Sequence, residues 1–257
     1  MTGGPANRPR ESFRERLLAR EFLLGTFLNT GSPVAAEICA GAGLDWVLVD
    51  LEHGSATETD VLPVLQAVAG TGVTPLVRVE ANERARFTKA LDFGAEGVMV
   101  PHVDGADEAR LAVAHLRYSG ARGVALMNRG AGYGARGRET VETFDERVVG
   151  VVQIESRAGV EQAEAIASVE GVDCLFVGPA DLTHSLGIFL ETEHADYAAA
   201  VDAVRAAAAR HDKALGVLVR TAEELARYRA LDFSFVAFAS DTSFLAAGAR
   251  DAVAAAR

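Results

Sequence analysis

Four stretches of the chain carry polar groups of kinds that can do chemistry together. They are Asp50-Leu51-Glu52-His53-Gly54, the arginine at 78, Gln153-Ile154-Glu155, and Gly178-Pro179-Ala180-Asp181-Leu182. Each lies in or just after a short apolar run, so each reads as the end of a strand or the loop beyond it. Glu155 and Asp181 are carboxylates, hard oxygen donors that suit Mg2+ or Mn2+ with water and substrate completing the shell. His53 follows Asp50, and a carboxylate holding one ring nitrogen leaves the other able to take a proton near neutral pH, a general-base arrangement. Arg78 is a planar, always-charged donor suited to a carboxylate or an enolate oxygen. Each has a structural alternative. Glu155 could pair with Arg157, Asp181 could cap its helix, and Asp50 could be satisfied by Arg78 or a backbone amide. His53 could be a surface residue and Arg78 part of an internal salt bridge. A charge set against an apolar interior needs an opposite charge or a metal, and four strand ends delivering such groups to one face make the functional alternative the stronger one.

The lysine count decides between two ways of stabilising an enolate. Only Lys89 and Lys213 are present, the first in a helical stretch and the second at the entry of a strand, the wrong end for catalysis in a barrel. An imine mechanism is therefore disfavoured, and a metal is the remaining common device.

The elements that must position these groups alternate along the whole chain. Eight short apolar runs read as strands: Leu23–Leu28, Trp46–Leu51, Pro75–Val79, Gly97–Val100, Val149–Ile154, Cys174–Val177, Ala214–Val219 and Phe235–Ala239. Between them lie helical stretches such as Ala106–Leu116, Val160–Ala167, Ala198–Arg210 and Ala222–Ala230, free of Gly and Pro. This pattern predicts an α/β chain with a parallel sheet closed into a (β/α)8 TIM barrel, a single domain over residues 13–257 after a flexible tail at 1–12. An open doubly wound sheet usually carries a Gly-rich turn after its first strand, where this chain reads Asn29-Thr30-Gly31-Ser32-Pro33. A G-x-G-x-x-G spacing at Gly132, Gly134 and Gly137 lacks a strand before it, and the stretch Met127–Arg138 reads instead as a mobile loop over the barrel mouth.

Composition narrows the partners. The 257 residues are 49% apolar and carry a formal net charge of −11, which disfavours nucleic acid and anionic membranes. Cys39 and Cys174 read as buried thiols. Residues 1–12 lack the apolar core of a secretory signal, and no apolar run reaches the roughly 20 residues of a membrane span, so a cytoplasmic location is expected.

Taken together, Ala42-Gly43-Leu44-Asp45-Trp46 running on through Asp50-Leu51-Glu52-His53-Gly54, Leu91-Asp92-Phe93-Gly94-Ala95-Glu96-Gly97, Val152-Gln153-Ile154-Glu155-Ser156 and Gly171-Val172-Asp173 with Phe176 through Leu182 resemble the HpcH/HpaI aldolase family. These are metal-dependent, class II pyruvate aldolases of the phosphoenolpyruvate/pyruvate-binding barrel superfamily. The resemblance covers the chain from about Leu24 to the C-terminus. It implies cleavage or formation of 4-hydroxy-2-oxo acids, giving pyruvate and an aldehyde through a metal-stabilised enolate. It implies that Glu155 and Asp181 hold the metal (Mg2+, Mn2+ or Co2+), and that His53, oriented by Asp50, serves as base or activates a metal-bound water. Arg78 would stabilise the enolate and Gln153 would support the metal site. The turn at Gly178, with the amides of Ala180 and Asp181, would receive the pyruvate carboxylate. It further implies a homo-oligomer, trimer or hexamer, with Thr242–Arg257 exchanged between subunits.

Two features depart from the family pattern. The turn after Arg117-Tyr118 is Ser119-Gly120-Ala121-Arg122-Gly123, which reads as a shortened mouth loop. His102 is unusual there, either a loop histidine or a contact to the aldehyde part of a substrate. Two other functions are compatible with the sequence. One is a citrate-lyase-like CoA-ester lyase or thioesterase, with arginines 129, 136 and 138 as a phosphate platform. The other is a non-catalytic keto-acid-binding subunit.

Overall fold

The structure, a computed structural model, describes residues 12–257. Eight strands form the sheet: β1 Leu23–Leu28, β2 Trp46–Asp50, β3 Thr74–Arg78, β4 Gly97–Val100, β5 Val149–Ile154, β6 Cys174–Val177, β7 Ala214–Val219 and β8 Phe235–Ser240. Each pairs in parallel with the next, and β8 returns to β1 to close the barrel. The helices are α1 Phe13–Leu18, α2 Pro33–Gly41, α3 Glu58–Ala67, α4 Arg84–Asp92, α5 Ala106–Leu116, α6 Gly137–Arg147, α7 Arg157–Glu161, α8 Ala163–Ala167, α9 Pro179–Leu186, α10 Ala195–Arg210, α11 Ala222–Ala230 and α12 Asp241–Ala255. Among the described residues no helix is long and apolar enough to cross a membrane.

Local chemistry accounts for where the elements depart from expectation. Ser12, assigned to the tail by sequence, caps α1 through reciprocal bonds with Glu15; residues 1–11 of that tail lie outside the described residues. The single helix expected over Val160–Ala167 is two. The Ser156 hydroxyl accepts from Gly159 N–H at 2.9 Å and starts α7 early, and the backbone leaves the helical region at Gln162 (φ −100°, ψ 5°). The ring of His194 accepts from Asp196 N–H and starts α10 three residues before the predicted Ala198.

Alternation along the strands sets the position of the active groups. Leu23, Trp46, Leu48, Leu76, Met99, Val149, Val151, Cys174, Phe176, Phe235 and Ala237 fill the barrel interior, with Phe13 and Leu17 of α1 plugging its lower end. Trp46 stacks on Phe235 with ring centroids 4.2 Å apart. Gly25 has no side chain because a Cβ there would sit 2.1 Å from the Trp46 ring. Residues of the other parity face the helices and form the larger outer core, which includes Val47, Val49, Val77, Val98 and Val152. Continuing the inward parity upward gives Asp50 after Leu48, Arg78 after Leu76, and Gln153 then Glu155 after Val151. The charged groups are thus the top layer of the interior, at the C-terminal ends of the strands.

Two loops lie at the opposite pole from the mouth. Arg129 donates to the carbonyls of Phe93 and Leu65, at the C-terminal ends of α4 and α3, at 3.0 and 3.2 Å; Ala131 beside it is fully buried. The stretch Met127–Arg138, expected over the mouth, is therefore anchored beneath the helices. The segment Ser119–Gly123 is not a mouth loop either. Its start is held by Asp145, whose carboxylate accepts from Tyr118 and Ser119 N–H, and Arg122 is sandwiched against Tyr118 and Phe144.

Candidate active site

Asp50 and Arg78 are direct partners in the β2–β3 register, which places their side chains side by side. Arg78 donates to both carboxylate oxygens of Asp50 at 2.8 Å, from Nε and Nη2, in a buried bidentate pair. Its Nη1 donates to Gln153 Oε1 at 3.3 Å and lies 2.9 Å from Glu52 Oε2, and its guanidinium stands 5.0 Å over the Phe27 ring. Gln153 passes the polarity on, its Nε2 donating to Glu155 Oε2 at 2.9 Å. The other oxygen of Glu155 accepts from the backbone N–H of His102 at 2.8 Å. Because Arg78 can only donate, Gln153 must turn its carbonyl to Arg78 and its amide N–H to Glu155, so both Glu155 oxygens act as acceptors.

This arrangement corrects one expectation. Asp50 does not orient the His53 ring: its carboxylate is taken by Arg78 and by the backbone N–H groups of Glu52 and His53, at 3.1 and 3.3 Å. The ring of His53, 59% exposed at the mouth, has Glu52 Oε2 at 3.8 Å instead. Glu155 is held by Gln153 and His102 rather than Arg157.

Both lysines are placed away from the cavity chemistry. Lys89 lies 3.6 Å from Glu58, and Lys213 Nζ donates to Val169 O at the opposite pole.

The cavity at the mouth has a volume of about 330 Å3 and is lined by Asp50, His53, Arg78, Gln153, Glu155 and the turn Gly178 to Asp181. All eight residues singled out in the sequence therefore border one space. Gly178 admits Glu155: a Cβ there would lie 2.3 Å from Glu155 Oε2. Asp181 sits in the first turn of α9, whose N-cap Gly178 has no side chain to bond the free amides. Above the apolar floor of Phe27, Phe176 and Leu218, the outer wall carries Asn29, Arg220, Ser240, Thr242 and Ser243.

Sequence reasoning missed two residues. Sequence alone assigns no role to Glu52, and for His102 it offers only a loop position or a substrate contact. The structure brings Glu52, His102 and Glu155 together, one ligand atom of each within 4.8 Å of the others. The only sequence signal was their position, just past the ends of β2 and β4.

Charge in the site is unbalanced. Asp50, Glu52 and Glu155 surround the single buried guanidinium of Arg78, and Asp181 adds a fourth carboxylate to the cavity wall. Burial pushes the Glu155 carboxyl up to about 7; the His102 amide and ring oppose this, while Asp181 and Glu52 add to it. Glu52 Oε2 is buried with no hydrogen-bond partner, its contact with Arg78 being off the N–H direction. Clustered oxygen and nitrogen donors of Glu52, His102 and Glu155, one of whose carboxyls resists ionisation when buried without a counter-ion, are a donor set a divalent cation would satisfy, so these residues fit a metal ion.

Known proteins resemble this chain over most of its length. Over 248 residues the chain is 39% identical to the hydroxypyruvate/pyruvate aldolase of Paraburkholderia phytofirmans, covering 93% of this chain and 95% of that one. It is 35% identical to the 5-keto-4-deoxy-D-glucarate aldolase of Klebsiella pneumoniae, covering 89% and 90% respectively. A crystal structure of an HpcH/HpaI aldolase/citrate lyase family protein from Burkholderia cenocepacia superposes with a TM-score of 0.91 at 38% identity, covering 95% of this chain and 98% of that one. The family model for HpcH/HpaI aldolase/citrate lyase matches residues 23–247. With that match across most of its length, the chain belongs to the HpcH/HpaI aldolase/citrate lyase family.

Proposed function

We propose that this chain is a class II pyruvate aldolase, a carbon–carbon lyase that splits 4-hydroxy-2-oxo acids into pyruvate and an aldehyde or joins them. Relatives named as pyruvate or keto-deoxy-glucarate aldolases, at 35–39% identity over most of the chain, support the class. The observation that carries it is the mouth cavity that Glu155, Asp181 and the buried Arg78 line together, with Glu52 and His102 clustered beside Glu155.

A divalent ion held by Glu155 and Asp181 would supply Lewis acidity at the keto oxygen. The protein groups do the rest. The free amides at the start of α9, at Ala180 and Asp181, receive the carboxylate of the keto acid. Arg78, fixed by Asp50, presents positive charge toward the developing enolate oxygen. His53 accepts the C4 hydroxyl proton; the C3–C4 bond breaks, its electrons pass into the enolate, and the aldehyde leaves. Reprotonation at C3 completes pyruvate. Glu52 takes the place assigned to Asp50 as the carboxylate facing the His53 ring. Arg220 with the hydroxyls of Ser240, Thr242 and Ser243 faces the aldehyde portion.

The arginines invoked for a CoA ester do not line this cavity. Arg129 and Arg136 are bonded to backbone carbonyls beneath the barrel, and Arg138 reaches toward Glu142 on its own helix. The C-terminal helix α12 exposes Phe244, Leu245 and Val253, which supports a homo-oligomer in which α12 packs on a neighbouring subunit.

The test is pyruvate release from a panel of 4-hydroxy-2-oxo acids by protein stripped of metal and then reloaded with Mg2+, Mn2+ or Co2+. Release is expected only after reloading. Stripped protein that works at the full rate would overturn the reading, as would reloaded protein that neither cleaves the panel nor exchanges the methyl protons of pyruvate with D2O.

The packing of Gly178 on Glu155 makes a second prediction. Gly178 has φ −96°, which alanine adopts freely, so Gly178→Ala acts through the carboxylate it displaces. A shift near 1 Å at a reacting group costs about 100-fold in rate, whereas overpacking of this kind costs about 1–3 kcal/mol of stability. Steady-state kinetics beside thermal unfolding will show a large kcat loss with a modest Tm change; the reverse pattern would mean that Glu155 relaxes without consequence.

A further inference from the structure

The ring of His102 is aimed where a cation would lie. Its Nδ1 is 3.6 Å from Glu155 Oε1 and its Nε2 is 3.7 Å from Glu52 Oε1. Both spacings are too long for hydrogen bonds. One ring nitrogen of His102 and one oxygen each of Glu52 and Glu155 lie within 4.8 Å of one another, close enough for small side-chain adjustments to gather them round a single ion. The backbone holds the ring there from both sides, since His102 N–H donates to Glu155 and Val103 N–H donates to Gln153 O at 3.2 Å. His102 also sits at φ 50°, in the left-handed region that non-glycine residues rarely occupy, a conformation kept where surrounding structure enforces it. Glu52 is placed by Arg78, whose Nη1 lies 2.9 Å from its Oε2, and this leaves Oε1 as the oxygen nearer His102.

From this cluster we infer that His102 is a nitrogen ligand of the bound ion, joined by Glu52, and that it biases the site toward Co2+ or Zn2+ and away from Mg2+. The inference rests on the metal-dependent reading above. The physical reason is ligand type: imidazole suits late first-row ions, whereas Mg2+ holds to oxygen donors and water. Glu155 and Asp181 alone would give an oxygen site with little preference of that kind. One ring nitrogen close to a Glu155 oxygen changes the set.

Binding, not turnover, is the readout. Stripped wild-type protein, His102→Asn, His102→Gly and Glu155→Gln are titrated by equilibrium dialysis with Co2+ and with Mg2+, and the visible absorption of bound Co2+ is recorded. Asparagine and glycine are chosen because both accept a positive φ. Both His102 variants should bind Co2+ about tenfold or more weakly and shift its absorption band, with Mg2+ affinity changed less than about threefold. If Co2+ affinity and band are unchanged in both while Glu155→Gln loses both ions, His102 is not a ligand and the aldolase site stands. If wild-type protein binds neither ion, the site reading fails and takes this inference with it.

Discussion

Glu155→Gln will abolish metal-dependent pyruvate release, with kcat/KM falling by roughly a thousandfold or more, about 4 kcal/mol of transition-state stabilisation. Glutamine keeps the volume, so the loss isolates charge and acceptor count. In the native network both Glu155 oxygens accept, one from Gln153 Nε2 and one from His102 N–H. A glutamine has one acceptor oxygen, so its amide must face one of those donors, and Gln153 cannot turn over to relieve the clash without setting its own amide against Arg78. The fold should tolerate the change better than the activity does. At neutral pH the native carboxyl is already half reluctant to ionise, with burial pushing it up to about 7, and removing the charge removes that cost. The informative measurement is therefore paired: coupled pyruvate assays, and Tm with and without divalent ion. Wild-type Tm should rise on adding the ion, because ligand that binds only the folded state stabilises it, and the variant should show no rise. A variant that keeps a tenth of the rate together with the Tm response would remove Glu155 from the centre of the site.

How much of this was legible in the sequence depends on where a residue stands relative to its strand. Apolar runs bounded by polar turns located all eight strands, and five of the eight ranges coincide with those observed. Inside a strand, parity carries the direction. Trp46, Leu48 and Asp50 point the same way, as do Leu76 and Arg78, so an interior charge could be recognised from its apolar neighbours two residues before it. Beyond the strand end that rule lapses. Glu52 and His102 take their directions from loop backbone, in His102 from a positive φ that no composition rule would assign to a histidine. The mistaken pairing of His53 with Asp50 has a related cause. Sequence proximity favoured the neighbour three residues away, whereas the register of β2 on β3 hands Asp50 to Arg78, twenty-eight residues on. The two loops placed over the mouth failed on counting. In a barrel the chain climbs through a strand and descends through the helix after it, so the segment following α5 lies at the lower pole. An additional helix, α6, then intervenes before β5. Missing α6 left nothing to show that Met127–Arg138 joins two helices at the base rather than a strand to a helix at the mouth.

Arg78→Met separates what this arginine does for folding from what it does for catalysis. Methionine preserves an unbranched stem and loses the guanidinium, leaving the fully buried Asp50 carboxylate with only the backbone N–H groups of Glu52 and His53. Breaking a buried pair from one side costs about 3–5 kcal/mol, because the remaining charge stays out of water uncompensated. At about 2–4 °C per kcal/mol for a chain of this size, Tm should drop by about 10 °C. Activity should fall as well, by about 100-fold or more, since the cation facing the enolate oxygen is gone. A double variant distinguishes the two effects. Asp50→Asn with Arg78→Met removes both charges, so most of the lost stability should return, the two sites being in direct contact and their effects far from additive. The rate should not return, because neither new side chain can offer positive charge to the substrate. If the double variant recovers rate along with Tm, Arg78 serves only to neutralise Asp50, and stabilisation of the enolate would have to be reassigned to other groups lining the mouth.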